Sequence, residues 1–251
     1  MSLLAVAELH KKFGGLHAVN AVSFGVEAGS IKAVIGPNGA GKTTLFNLIT
    51  GALKASAGQV QFKGSDILGR KPHQIAACGI ARTFQNIKLF HDMTALENVM
   101  VGRHLRSRAG FTAAMFNMPW TRREEQAIRE KSLELLALLE IEDYADVDAT
   151  RLAFGQQRAV EFARALALEP ELLLLDEPAA GLNIHETAEV GRLITRIRGL
   201  GITVLLVEHD MSLVMDISDE IVVLSFGEKI AEGVPAAIQN NSEVIRVYLG
   251  D

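Results

Sequence analysis

The segment Gly36-Pro37-Asn38-Gly39-Ala40-Gly41-Lys42-Thr43-Thr44 constrains the fold more than any other stretch of this 251-residue chain. It follows the apolar run Ile31 to Ile35 and precedes Leu45 to Ile49, which closes at Thr50-Gly51, a helix stop. A strand, a glycine-rich turn with GxxxxGK[ST] spacing and a helix must therefore succeed one another directly. The glycines let the backbone wrap closely round a phosphate, with amide hydrogens inward and a helix dipole behind them. In that geometry Lys42 bridges β- and γ-phosphates, the Thr43 hydroxyl ligates Mg²⁺ and Thr44 reaches the α-phosphate. A turn that binds nothing is the alternative, and the complete spacing in the right context weighs against it.

A second segment answers the first. Glu171-Leu-Leu-Leu-Leu-Asp176-Glu177-Pro178 sets two carboxylates at the end of an apolar strand, which Pro178 stops. Ligands of open α/β sheets sit at the carboxyl ends of strands, so both acids are expected to face the phosphates. Asp176 would then hold Mg²⁺ through water, and Glu177 would polarise the attacking water as general base.

Short apolar runs at Ala21 to Val26, Ile31 to Ile35, Leu172 to Leu175, Thr203 to Val207 and Ile221 to Leu224 read as strands bounded by turn residues. Leu172 to Leu175 and Val204 to Val207 are continuously apolar, the pattern of strands covered on both faces of a parallel sheet. Glu186 to Arg198 lies between them with Val190, Leu193, Ile194 and Ile197 on one helical face, completing an α/β unit. From about Lys88 to Ala165 the strand signals fade. Trp120 to Leu139 instead repeats Ile128, Leu135, Leu136 and Leu139 at helical intervals, which predicts a helical insertion. The expected organisation is one domain over 1–251, with core parts 1–87 and 166–251 flanking a helical subdomain at 88–165.

Charge and composition narrow the setting. A net charge of -5 argues against broad affinity for nucleic acid, and the local basic runs Arg103 to Arg108 and Arg122-Arg123 read as solvated faces or partner contacts. The single cysteine, Cys78, allows no intrachain disulfide, and the start Met1 to Glu8 reads as a first strand rather than a leader. Both point to the cytoplasm. Mean hydropathy is positive, yet no apolar run approaches the roughly 20 residues of a spanning helix, so a membrane role must come through partners.

Further motifs fall in an order that resembles the ATP-binding cassette (ABC) ATPases. Gln85, in Ala81-Arg-Thr-Phe-Gln85, matches the glutamine loop, which in that family contacts Mg²⁺ and water and senses the transport subunit. Leu152-Ala153-Phe154-Gly155-Gln156-Gln157-Arg158 matches the signature that caps ATP held by a second cassette. Gly181-Leu182-Asn183 falls at the D-loop and His209 at the switch histidine that meets the γ-phosphate. Phe13 sits where an aromatic stacks on adenine, and Val19 joins the expected nucleotide set. The resemblance covers essentially the whole chain. It implies a P-loop α/β fold with a RecA-like core of mixed and parallel sheet, an N-terminal antiparallel β region and a helical subdomain. It also implies catalytic roles for Lys42, Gln85, Glu177 and His209, metal contacts from Thr43, Gln85 and Asp176, and ATP/ADP with Mg²⁺ as ligands.

Two departures stand out. Ala153 and Phe154 replace the usual serine and first glycine of the signature, and Asn183 replaces the commoner aspartate. Together with Phe13-Gly14-Gly15-Leu16, Ala18-Val19-Asn20, Leu89-Phe90 to Glu97-Asn98, Val207-Glu-His-Asp-Met211 and Val247-Tyr-Leu-Gly250, they resemble the ATPases of branched-chain amino-acid importers. In such systems two ATPases, sister subunits or identical copies, pair beneath two membrane permeases on the cytoplasmic face, and a substrate-binding protein delivers the solute. The segment from Gln85 through Asn86, Ile87, Lys88, Leu89 and Phe90, with the helical insertion, is the expected groove for a permease coupling helix.

Other classes predict other residues. A lipopolysaccharide-export ATPase would carry a signature nearer Leu-Ser-Gly-Gly-Glu. A DNA-repair or translation ATPase of this type would carry two cassettes or a long coiled coil. A nucleotide kinase would not need Gln85, the signature and His209 together. Importers of urea, amides or other small solutes remain open, because such an ATPase never touches the cargo.

Overall fold

The computed structural model describes residues 2–85, 87–103 and 119–249. Asn86, residues 104–108 of the basic run, the side chains of Trp120 and Arg122, and Gly250 lie outside the described residues. The described strands are β1 (Ser2–Phe13), β2 (Leu16–Glu27), β3 (Ile31–Ile35), β4 (Ala57–Phe62), β5 (Ser65–Asp66), β6 (Ile80–Arg82), β7 (Leu172–Asp176), β8 (Thr203–Val207), β9 (Glu220–Ser225) and β10 (Glu228–Gly233). The helices are α1 (Lys42–Ile49), α2 (Pro72–Ala77), α3 (Ala95–Gly102), α4 (Pro119–Leu138), α5 (Phe154–Leu166), α6 (Ile184–Gly199), α7 (Met211–Ile217), α8 (Pro235–Gln239) and α9 (Ser242–Leu249). Contacts divide the chain into two compact units, residues 1–85 with 171–251 and residues 86–170.

The first unit holds two sheets. An antiparallel one runs β2-β1-β4-β5, and a six-stranded one runs β10-β9-β3-β8-β7-β6. In the larger sheet all neighbours from β9 to β6 are parallel, and β10 closes the edge antiparallel to β9. Every residue of β3, β7 and β8 is buried, including Lys32 of β3, as the continuously apolar stretches of β7 and β8 require for strands covered on both faces. The core joins Leu45 and Phe46 of α1 to Leu174, Leu205 and Val222 of the large sheet and to Val6, Val22 and Val60 of the small one. Helix α6 starts where Asn183 Oδ1 accepts from the His185 and Glu186 amides, at 2.9 and 3.0 Å, and α7 starts on the Asp210 carboxylate.

Register decides where the loops emerge. Val34 of β3 lies opposite Val207 of β8, which lies opposite Asp176 of β7. The three strands therefore end level, and Gly36, Glu177 and Glu208-His209 leave the sheet at one carboxyl edge. That edge is where α/β sheets present ligands.

The second unit is helical. Among its described residues there is no strand, only an isolated bridge between Thr94 and Asp148. Leu96, Val99, Leu136, Leu139, Val160 and Phe162 form its interior. Thr94 caps α3 reciprocally with Glu97, and Gly102 is required there because a Cβ would stand 2.2 Å from the Arg164 carbonyl of α5. No helix of the described residues is long and apolar enough to cross a membrane.

Candidate active site

The loop between β3 and α1 needs glycine at two points. A Cβ on Gly36 would stand 2.2 Å from the Leu224 carbonyl, and one on Gly41 would stand 2.4 Å from that of Ala18. Gly41 also has φ of 102°, in the left-handed region that L side chains resist. It precedes α1 without a capping side chain, so the first-turn amides meet no side-chain oxygen, and a helix start of this kind favours an anion. Asn38, Gly39 and Thr43 are exposed around the loop, while Ala40 is buried beneath it.

Lys42 folds back into the loop. It is 7% exposed, and its Nζ donates to the carbonyls of Gly36 at 2.6 Å and Pro37 at 3.0 Å. Burial lowers its pKa, while the negative charges of Glu177 and Asp176 pull it back upward. The phenol of Tyr248, from α9, touches the same loop: burial pushes it up to about 12, against a hydrogen bond from the Gly36 backbone.

Asp176 is the last residue of β7 and is buried. Its Oδ2 accepts from Arg82 Nη2 at 2.7 Å. Glu177 turns off the strand with φ of 48°, its amide held by the Val207 carbonyl at 2.9 Å. Gln85 Nε2 donates to Glu177 Oε2 at 2.6 Å, and His209 Nδ1 lies 3.9 Å from the same oxygen. The two expected acids, the glutamine and the histidine thus converge beside the loop lysine, from strands far apart in sequence.

Glu208 supplies a support that sequence reasoning passed over. It is fully buried, and its Oε1 accepts from the Ala179 amide at 2.8 Å. Its Oε2 accepts from the amides of His209 at 2.8 Å and Asp210 at 3.2 Å. One carboxylate therefore fixes both the turn after Glu177 and the loop bearing His209. The available signal was an acid directly after a continuously apolar strand.

The remaining expected residues are distributed as follows. Phe13 ends β1 with 47% of its surface exposed and Lys11 Nζ 4.8 Å from its ring centroid. Val19, expected with the nucleotide set, is a fully buried core residue of β2. Gly181 takes a positive φ in the turn before Asn183, the cap of α6. In the second unit Ala153 stands at the N-cap of α5, followed by the exposed Phe154 and the partly exposed Gly155 and Gln156.

A phosphate loop and two acids at one carboxyl edge of a parallel sheet define a nucleotide-hydrolysing α/β protein, and residues 19–180 match the ABC transporter family; the chain belongs to it and is an ABC ATPase. Residues 228–251 also match a C-terminal family described as branched-chain amino acid ATP-binding cassette transporter. The chain is 45% identical to the high-affinity branched-chain amino acid transport ATP-binding protein BraF of Pseudomonas aeruginosa, over 99% of this chain and 98% of that one. It is 44% identical over the same shares to LivG, of the same description, from Salmonella typhimurium. Among solved structures, a nucleotide-free ATP-binding cassette from an ABC transporter superposes with a TM-score of 0.87 at 33% identity, each chain fully covered. A cassette solved as a dimer with ADP and phosphate after hydrolysis gives 0.77 at 26% identity, over 92% of this chain and 98% of that one.

Proposed function

We propose that this chain is the ATP-hydrolysing subunit of an importer for branched-chain or other hydrophobic amino acids. It works at the cytoplasmic face of the membrane with a second cassette, which is a sister subunit or another copy. Two permeases anchor the pair, and a substrate-binding protein feeds them. The observation that carries the substrate class is end-to-end likeness, at 44% and 45% identity, to relatives named for branched-chain amino acid transport.

The residues suit the chemistry. Lys42 exchanges the Gly36 and Pro37 carbonyls for β- and γ-phosphate oxygens, and the loop amides with the start of α1 receive the remaining charge. Thr43 and Asp176 offer a hydroxyl and a carboxylate, hard oxygen donors of the kind Mg²⁺ takes. No group of three or more His, Cys, Asp or Glu among the described residues could hold a metal alone, which fits an ion carried in with the nucleotide. Mg²⁺ held by Thr43 and Asp176 would supply positive charge against that developing on the phosphates. Glu177 takes the proton of the attacking water, Gln85 orients that carboxylate and the water, and His209 meets the γ-phosphate. Phe13 stacks on the adenine. The signature of the second cassette, by amides at Ala153 to Gln156 in its own copy or their counterparts in a sister, closes the site.

The test is co-purification with the membrane partners, reconstitution in liposomes and measurement of ATP turnover with loaded binding protein. Leucine, isoleucine or valine should stimulate turnover several-fold over the unloaded protein. Stimulation by urea or an amide in their place would assign a different cargo.

A further inference from the structure

Arg82 is the most heavily engaged side chain around the acids. Its Nη2 bonds Asp176 Oδ2 at 2.7 Å, and its Nη1 bonds Asn47 Oδ1 at 2.8 Å and Thr50 Oγ1 at 3.1 Å. Its guanidinium lies 5.7 Å from the Phe46 ring centroid and 5.4 Å from that of Phe84. Asn47 belongs to α1 and Thr50 is its C-cap, so one cation joins β6, the acid-bearing strand β7 and the helix that begins at Lys42. Asp176 is buried and Arg82 is largely covered, with side chains 6% and 11% exposed. Three residues on, Gln85 holds Glu177, so residues 82 and 85 of one short segment grip the neighbouring acids 176 and 177.

A carboxylate this deep is costly without a countercharge. Lys42 is committed to two loop carbonyls, whereas Arg82 makes the direct contact. A guanidinium keeps its charge at every pH a protein survives, and this one is fixed by its fork of hydrogen bonds and by two rings. It engages one carboxylate oxygen, which leaves Oδ1 to meet a metal or its water. A lone dication approaching Oδ1 would meet a fixed positive charge close behind it. Nucleotide phosphates bring the negative charge that offsets this repulsion.

We propose that Arg82 is the resident counter-ion of Asp176: a positioning residue that holds the carboxylate aimed without nucleotide, and bars a divalent cation from binding there alone. The inference rests on reading Asp176 as the metal-holding acid. It makes metal binding conditional on nucleotide through a residue that touches neither.

The experiment uses the full chain without nucleotide and Mn²⁺ alone as probe, followed by electron paramagnetic resonance and by thermal unfolding. Wild type and Arg82→Lys should bind Mn²⁺ weakly, with no shift of the unfolding midpoint. Arg82→Met and Arg82→Gln should unfold at lower temperature without metal, bind Mn²⁺ about tenfold more tightly or better, and regain stability with it. Asp176→Asn combined with Arg82→Met should remove the Mn²⁺ response and recover part of the lost stability. Neutral variants that bind Mn²⁺ no better than wild type would overturn the proposal. Should both neutral variants fail to fold, a double variant that also fails would overturn it. ATP titration of Asp176→Asn with and without Mg²⁺ isolates the underlying reading. If that variant keeps the wild-type gain in affinity from Mg²⁺, Asp176 is not the metal acid. If the gain is lost and Arg82→Met shows no Mn²⁺ response, only the counter-ion role fails.

Discussion

Ala153 stands at the N-cap of α5 with no side-chain oxygen to offer, which is the local cost of replacing the signature serine. Half of a capping box survives, because the Ala153 amide still donates to Gln156 Oε1 at 3.0 Å. The other half needs a hydroxyl or carboxyl group at 153. Ala153→Ser should therefore raise stability by about 1 kcal/mol, measured by urea unfolding; no gain would mean that the first-turn amides already have partners. The other change in the signature, Phe154, has a visible support, since the Arg158 guanidinium lies 5.8 Å from its ring centroid and is itself paired with Glu161 at 2.8 Å. Asn183 differs from both. An asparagine caps a helix about as well as an aspartate, and here it accepts from two amides while its own amide meets Glu186. Replacing aspartate there costs the helix little.

At the scale of elements, Lys32 ties the edge of the large sheet together. It lies on central β3, is buried, and its Nζ meets Glu232 of β10 at 2.6 Å, Glu220 of β9 at 2.8 Å and the Gly25 carbonyl of β2 at 2.5 Å. Burial pushes the Glu232 carboxyl up, but hydrogen bonds and charges from Lys229 and Lys32 outweigh it and hold its pKa below the ordinary value. A lowered carboxylate stabilises the fold above its unfolded pKa, and that contribution is lost as pH falls through the folded value. Glu232→Gln should thus flatten the loss of stability below about pH 5, read from urea midpoints across the acid range. Superimposable acid limbs for variant and wild type would contradict the pairing. Local pattern made other elements legible beforehand. Five apolar runs fall within β2, β3, β7, β8 and β9, and Glu186 to Arg198 falls within α6. What local pattern could not reveal depends on distant partners. Arg82 meets Asp176 across 94 positions, Lys32 meets Glu232 across 200, and neither arginine nor lysine carries a periodic signal. Strand β10 is half exposed and mixed in composition, so alternation failed to mark it.

At the scale of the molecule, one sheet edge gathers the phosphate loop, both acids and the histidine. The register of β3, β7 and β8 does this, and buried Glu208 locks the loops that follow. That much belongs to the first unit alone. The signature belongs to the second unit and, by the family resemblance, serves another cassette's nucleotide. In the proposed function, positioning and charge stabilisation would be shared between two chains, with ATP the ligand that favours their closed state. Within this arrangement the proton-accepting role of Glu177 is the claim on which the chemistry turns. The decisive measurement is ATP binding and turnover by the complete transporter carrying Glu177→Gln. We expect nucleotide affinity within about twofold of wild type and turnover reduced at least ~100-fold, the scale of a lost general base. Turnover within a few-fold of wild type would remove Glu177 from that role and with it the proposed site.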